Sequence, residues 1–208
     1  MSHFKFDLKQ EQILNNYLDG IYKSKNLEFS RITNLENQHL GIDVIFRHNL
    51  NEYLIDEKAQ LHYLNQDLPT FTFELSFLNK KNEIKEGWLF DNSKKTQFYF
   101  LITAIILKSG KSKLGDQKDI KSVKITTVNR NKLIQHLAKK DLTHITLEEY
   151  DYNIRRTQSF GKNSIPELDE KSAGLLYYTQ HLAEQPINLQ LRLKYLIDCK
   201  IAKTFHGF

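Results

Sequence analysis

One cysteine, three prolines and eight glycines among 208 residues close off several classes of protein. Cys199 has no second cysteine to pair with, which excludes an internal disulfide and a zinc site built on several cysteines. The expected setting is therefore a reducing one, the cytoplasm. Scarce glycine and proline exclude a collagen-like or low-complexity chain, and 40% hydrophobic with 26% charged residues are ordinary globular proportions. Long apolar runs are missing too. The opening MSHFKFDLKQEQ lacks the apolar block of a signal peptide, and the longest run, Phe98 to Leu107, falls far short of the ~20 residues of a spanning helix. No membrane partner is expected. The eight histidines include no pair at zinc-ligand spacing and no HExxH. Gly110-Lys111-Ser112 ends like a phosphate-binding loop but lacks the upstream glycine such a loop requires.

What the chain does have is an uneven positive charge. Thirty basic against twenty-five acidic residues give +5, with 12 basic and 14 acidic side chains in residues 1–100 and 18 and 11 in the remainder. Between Lys108 and Lys140 ten basic residues meet only Asp116 and Asp119. Such a block attracts polyanions whatever their sequence. The plainer reading is a solvated lysine-rich loop and helix face.

Periodicity divides the chain into alternating elements. A first helix is expected from Asp7, as N-cap, to about Lys23, with Leu14, Tyr17, Leu18, Ile21 and Tyr22 on one apolar face. Glu11 lies at the edge of that face, where it either looks toward a sheet or stays solvated in the first turn, favoured by the helix dipole. Strands are expected over 40–47, 53–64 and 70–78, separated by the turn signals HNLN and NQDLP. Residues 97–108 read as a long buried strand, KSGKSKLGDQKD as the most mobile loop, and 123–128 as a strand feeding a helix over 130–139. In the last third, 143–154 has strand character and 167–183 helical character; INLQLR after Pro186 alternates as a strand, and 193–203 closes the chain as a helix. The expected fold is α/β, a central mixed β-sheet flanked by helices, in a single domain over 1–208 with 142–208 as a candidate C-terminal elaboration.

The chemistry concentrates in GIDVIF and IDEKAQLHY. On a strand, Asp56, Lys58, Gln60 and His62 share one face, and Ile55, Glu57, Ala59, Leu61 and Tyr63 the other. Asp43 stands among Leu40, Ile42, Val44, Ile45 and Phe46, and a carboxylate in an apolar strand is costly unless something compensates it. In FTFELSF, Glu74 shares a face with Thr72 and Ser76. Three adjacent strands would bring Asp43, Asp56, Lys58, Gln60 and Glu74 to one patch. Carboxylates on rigid strands bind a hard divalent cation through oxygen, and a lysine about 7 Å along the same face can stabilise an attacking hydroxide or charge building on phosphorus. That suits phosphodiester hydrolysis. Acid-x-Lys alone says little, since it occurs seven times; only at Asp56 does it sit mid-strand, after another strand acid and before a glutamine in phase. The competing reading is an Asp56–Lys58 ion pair on a solvated sheet face. Elsewhere, His62 is expected as a hydrogen-bonded sheet residue, Cys199 in the core and Trp88 as packing.

With these residues in this order, the sequence resembles the PD-(D/E)xK nuclease superfamily, the restriction endonuclease-like proteins, whose core runs helix, three-stranded meander, helix, strand. The resemblance covers residues 7–78. Asp43 takes the place of the first acid, with Gly41-Ile42 where the motif name has a proline. Asp56 and Lys58 take the (D/E)xK pair, Gln60 a glutamine that some branches carry, and Glu11 the helix acid of some branches. The resemblance implies that Asp43, Asp56 and the backbone carbonyl of Glu57 hold Mg²⁺ or Mn²⁺ and that Lys58 assists the attacking water. The expected activity is cleavage of DNA in preference to RNA, by an endonuclease in preference to an exonuclease, and a homodimer would suit cutting both strands. Glu74 has no counterpart in the family and rests on strand phase alone as a metal ligand. Lys111, Lys113, Lys118, Lys121, Arg130, Arg155 and Arg156 are then the expected contacts to the phosphate backbone. The alternatives are a nuclease-like fold kept as a nucleic-acid or protein-binding module without turnover, and a structural protein whose acids merely pair with lysines.

Overall fold

Apolar residues at helical spacing in the N-terminal segment form α1 (His3–Ser24), which buries Leu14, Leu18 and Tyr22. The computed structural model describes residues 3–207, with side chains from residue 8 onward. Because α1 begins at His3, the N-cap expected at Asp7 falls inside the helix, and the Asp7 side chain lies outside the described residues. Two short elements that the sequence did not signal follow, β1 (Glu28–Arg31) and α2 (Leu35–His39). The chain continues through β2 (Val44–His48), β3 (Asn51–Ala59), β4 (Thr70–Leu78), β5 (Ile84–Glu86), β6 (Phe98–Leu107) and β7 (Ile120–Asn129). It ends with α3 (Arg130–Ala138), α4 (His144–Thr157), β8 (Gly161–Asn163), β9 (Gly174–Tyr178), β10 (Ile187–Arg192), α5 (Leu193–Asp198) and β11 (Ala202–Thr204). Among the described residues no helix is long and apolar enough to cross a membrane.

The elements divide between two compact units that interleave in sequence. One takes the segments up to Leu68, Lys95–Val128 and from Lys203 onward. Its mixed six-stranded sheet runs β1-β2-β3-β6-β7-β11, with β3 and β6 parallel. α1 lies on one face, where Val44, Phe46, Ile55, Phe100 and Ile102 meet Leu14, Leu18 and Tyr22 in a single core. Ala104, at φ +46°, shifts the phase of β6, so that Ile105 and Leu107 join the same core as Phe100 and Ile102. The second unit, Pro69–Lys94 and Asn129–Ala202, holds an antiparallel sheet in the order β5-β4-β10-β9-β8 together with α3, α4 and α5.

The α/β fold with a mixed sheet is as expected, but the three-stranded meander is not. β2 and β3 form the antiparallel pair; β4 leaves for the other sheet and pairs with β10, and the second neighbour of β3 is β6. Burial explains the exchange. FYFLITAIIL is apolar throughout and buried on both faces, as a central strand requires, whereas TFTFELSFL buries alternate residues, as suits a sheet covered on one side. Two expectations in the last third are reversed. Residues 143–154 fold as α4, with Leu147, Asp151 and Ile154 buried at helical spacing and the Thr143 hydroxyl accepting the Thr146 N–H at 3.2 Å. Residues 167–183 hold β9, whose GLLYY pairs along β10. The closing helix stops at Asp198, leaving Cys199 exposed, and the chain returns as β11. Residues 142–208 thus do not stand apart as an appended segment, since β10 and β4 share one ladder.

Candidate functional site

β2 begins at Val44, opposite Ile55, so from Asp56 onward β3 pairs only with β6. Asp43 sits at this step. Its N–H donates to the carbonyl of Ile55 at 2.8 Å and its carbonyl accepts the N–H of Ile32 at 2.8 Å. Its side-chain Oδ2 accepts the N–H of Glu57 at 2.8 Å, taking the place of a strand partner. On an extended strand the N–H and C=O of one residue point to the same side, so the Glu57 carbonyl also turns toward Asp43. The turn leading into Asp43 depends on Gly41, at φ +71°, a conformation open to glycine without strain. Two contacts to the segment before β6 hold that turn: Thr96 Oγ1 donates to the Gly41 carbonyl at 2.6 Å, and the Lys95 N–H to the Leu40 carbonyl at 2.8 Å. Thr96 is a supporting residue that carried no signal in the sequence.

Val44 and Ile55 face α1, so Asp56, the next residue along β3, faces away from it, whereas Asp43 lies just before β2 at the open flank of β3, where its Oδ2 meets the Glu57 N–H. Lys58, in phase with Asp56, places Nζ 2.7 Å from Asp56 Oδ1; the Lys58 side chain is 31% exposed and that of Asp56 4%. Burial pushes the Asp56 carboxyl up to about 6; the Lys58 ammonium pulls against that rise and the Asp43 carboxylate adds to it. The Glu57 side chain takes the α1 face, where Arg31 Nη1 meets Oε2 at 2.7 Å and the Tyr22 hydroxyl donates to Oε1 at 2.5 Å. Burial raises the Glu57 pKa, opposed by the Arg31 guanidinium. A polar cavity of about 230 Å³ opens beside the exposed flank of β3, with Glu11 and Asn15 of α1 across from Asp43, Glu57 and Lys58.

The structure thus brings Asp43, Asp56, Lys58, the Glu57 carbonyl and Glu11 to one end of β3. Gln60 lies just past the strand end, where the chain turns into the 3-10 helix Leu61–Tyr63, so its alternation with Lys58 is broken. His62 is in that 3-10 helix and exposed rather than in a sheet. Glu74 lies in the second unit, on β4, opposite Asn188 of β10, in a different sheet from β3. Of the basic candidates, Lys111, Lys113, Lys118 and Lys121 are exposed in the first unit, with Lys111 Nζ 2.9 Å from Asp119. Lys111, Lys113 and Lys118 lie in the segment before β7, where Leu114 is buried and Asp116 caps the 3-10 helix Gln117–Asp119, and Lys121 lies at the start of β7. Arg130 and Arg155 are removed from any phosphate-binding surface. Arg130 is buried and donates to the carbonyls of Leu89, Asp91 and Lys94. Arg155 is held by Asp151 at 2.9 Å, by Ser76 and by the Gln185 carbonyl. Arg156 is exposed in the second unit, beside the Tyr152 ring. Trp88 packs against Phe73 at 5.5 Å, as expected.

Among the described residues no group of three or more His, Cys, Asp or Glu side chains is placed to hold a metal ion. The donors at Asp43 and Asp56 are two carboxyls, to which the Glu57 carbonyl adds a third oxygen. An all-oxygen set suits Mg²⁺ or Mn²⁺, which keep several waters and take phosphate oxygens for the rest of their shell. The fit has a physical basis in Asp56: a carboxyl that water barely reaches, with the Asp43 carboxylate opposing its ionisation, is favoured to bind a proton or a cation. No family model matches the chain, and no curated protein or solved structure matches it.

Proposed function

We propose that the chain is a metal-dependent nuclease that hydrolyses phosphodiester bonds of DNA, endonucleolytically, at the end of β3. One observation carries the reading: the Asp43 carboxylate lies near enough to buried Asp56 to add to the rise of its pKa, and the Lys58 ammonium stands 2.7 Å from Asp56. Asp43, Asp56 and the Glu57 carbonyl would hold Mg²⁺ or Mn²⁺, which when bound neutralises phosphate charge and makes water more acidic. The chain's own residues do the rest. Asp43 fixes the flank of β3 by accepting the Glu57 N–H, so the ligand carbonyl is presented rigidly. Lys58, half in solvent, orients the attacking water and stabilises the charge that builds on phosphorus. Exposed Lys113, Lys118 and Lys121 supply sequence-independent attraction to the backbone. A reducing, cytoplasmic setting and a homodimer that cuts both strands belong to the same reading.

A second reading has an observation of its own. Lys58 and Asp56 already form an ion pair, and a pair of this kind serves a binding module without turnover equally well. Nicking of supercoiled plasmid with Mg²⁺ separates the two. Cleavage by the wild type, lost in Lys58→Ala and in Asp56→Asn while both variants keep the wild-type circular dichroism spectrum, supports the nuclease. DNA binding without Mg²⁺- or Mn²⁺-dependent cleavage supports the module and sinks the enzyme.

A further inference from the structure

Resting on the metal-binding reading above, we infer that Arg31 is a positioning residue: a strut that sets the spacing between Asp43 and the Glu57 carbonyl without touching cation or substrate. β1 and β3 are second neighbours across β2, roughly 9.5 Å apart at two strand spacings. Arg31 is opposite Val44, the last residue of β2 at this end, and beyond it β3 is held on this side by Asp43, through the Ile55 carbonyl and the Glu57 N–H. The Arg31 side chain crosses that gap. Nη1 reaches Glu57 Oε2 on β3 at 2.7 Å, and Nη2 reaches Asp19 Oδ1 on α1 at 2.7 Å. The Tyr22 hydroxyl closes on the same Glu57 carboxylate. The arrangement is nearly dry, with the Arg31 side chain 14% and that of Glu57 5% exposed.

Two features tie this strut to the site. Glu57 is the single residue between Asp56 and Lys58, so gripping its side chain fixes the strand segment that carries both. Ile32, next to Arg31, donates its N–H to the Asp43 carbonyl, so β1 references Asp43 as well. An apolar pair would fill the same space without the desolvation cost of buried charges, and would hold no fixed spacing. The forked guanidinium can bind Asp19 and Glu57 at once, which a lysine ammonium does with poorer directionality.

The test is calorimetric titration of Mn²⁺ into the full chain, alongside thermal unfolding, for wild type, Arg31→Lys, Arg31→Met and the double variant Arg31→Met/Glu57→Leu. Arg31→Met is expected to lower Tm and weaken Mn²⁺ binding about 10- to 100-fold, the range for groups that orient metal ligands. The double variant, freed of a lone buried carboxylate, is expected to recover Tm but not affinity. Arg31→Lys should bind Mn²⁺ with intermediate affinity. A double variant that binds Mn²⁺ as tightly as wild type overturns the strut and leaves Arg31 a folding residue. Should the double variant not fold, wild-type affinity in Arg31→Lys overturns it instead. Absence of Mn²⁺ binding by the wild-type chain overturns the metal reading, and the strut with it.

Discussion

Asp56 holds a carboxyl where water barely reaches, with the Asp43 carboxylate opposing its ionisation and the partly exposed Lys58 ammonium favouring it. Its folded pKa of about 6 lies above the ordinary 3.8. A raised acid binds its proton more tightly in the folded state, so the stability it contributes is complete below pH 3.8 and is lost as pH rises through 6. The rise corresponds to roughly 3 kcal/mol. Without metal, Asp56→Asn should therefore unfold at a higher urea concentration than wild type at pH 7.5, and the gap should close toward pH 4. Urea midpoints across that range check this; equal midpoints at pH 7.5 would mean that ionised Asp56 is not destabilising. Added Mn²⁺ should raise the midpoint of the wild type and leave that of Asp56→Asn unmoved, because only a species that binds the folded state stabilises it. Of the site residues legible in the sequence, Asp43 stood out as a carboxylate in an apolar segment, and Asp56 and Lys58 as an acid-x-Lys pair in strand phase. Thr96 and Arg31 act through backbone carbonyls and a distant strand, and nothing local marks such roles.

At the scale of elements, the cavity wall depends on α1, whose Leu18 is fully buried in the core and lines the polar cavity. Leu18→Ala should cost about 2–5 kcal/mol in chemical denaturation, the range for a large-to-small change in a core. A loss below 1 kcal/mol would show that α1 is not packed on the sheet as described. In the second unit, Gly174 of β9 faces Leu191 of β10, and an added Cβ would overlap the Gln190 carbonyl oxygen. Gly174→Ala is expected to lower Tm by several degrees, since the neighbour is backbone and cannot step aside. Element types were readable where one pattern dominated, as in α1 and β6. They were misread in α4 and β9. The burial of Leu147, Asp151 and Ile154 along 143–154 follows the period of a helix, and the five residues of β9 are fixed as a strand by pairing with β10.

For the whole molecule, charge is the property most directly exposed to test. Exposed Lys113, Lys118 and Lys121, before and at the start of β7, should each add about 0.9 to the slope of log affinity for duplex DNA against log salt, so the triple alanine variant should show a slope shallower by about 2.7. Fluorescence anisotropy at several salt concentrations measures it; an unchanged slope removes the loop from the interface. Alanine at Arg130 or Arg155 should instead lower Tm, because both guanidinium groups are committed to bonds inside the second unit. Composition and local periodicity alone determined an α/β chain with a lone cysteine, a basic block, and an acid-acid-lysine set on two consecutive strands. They could do so because charge, apolar runs and the period of a strand are properties of neighbours in sequence. Which strand lies beside β3, whether Glu74 joins the acids, which arginines are spent inside the fold, and how Arg31 spans to Glu57 were decided only by tertiary structure. Those outcomes depend on pairing between segments tens of residues apart, where burial on both faces rather than local preference selects the partner.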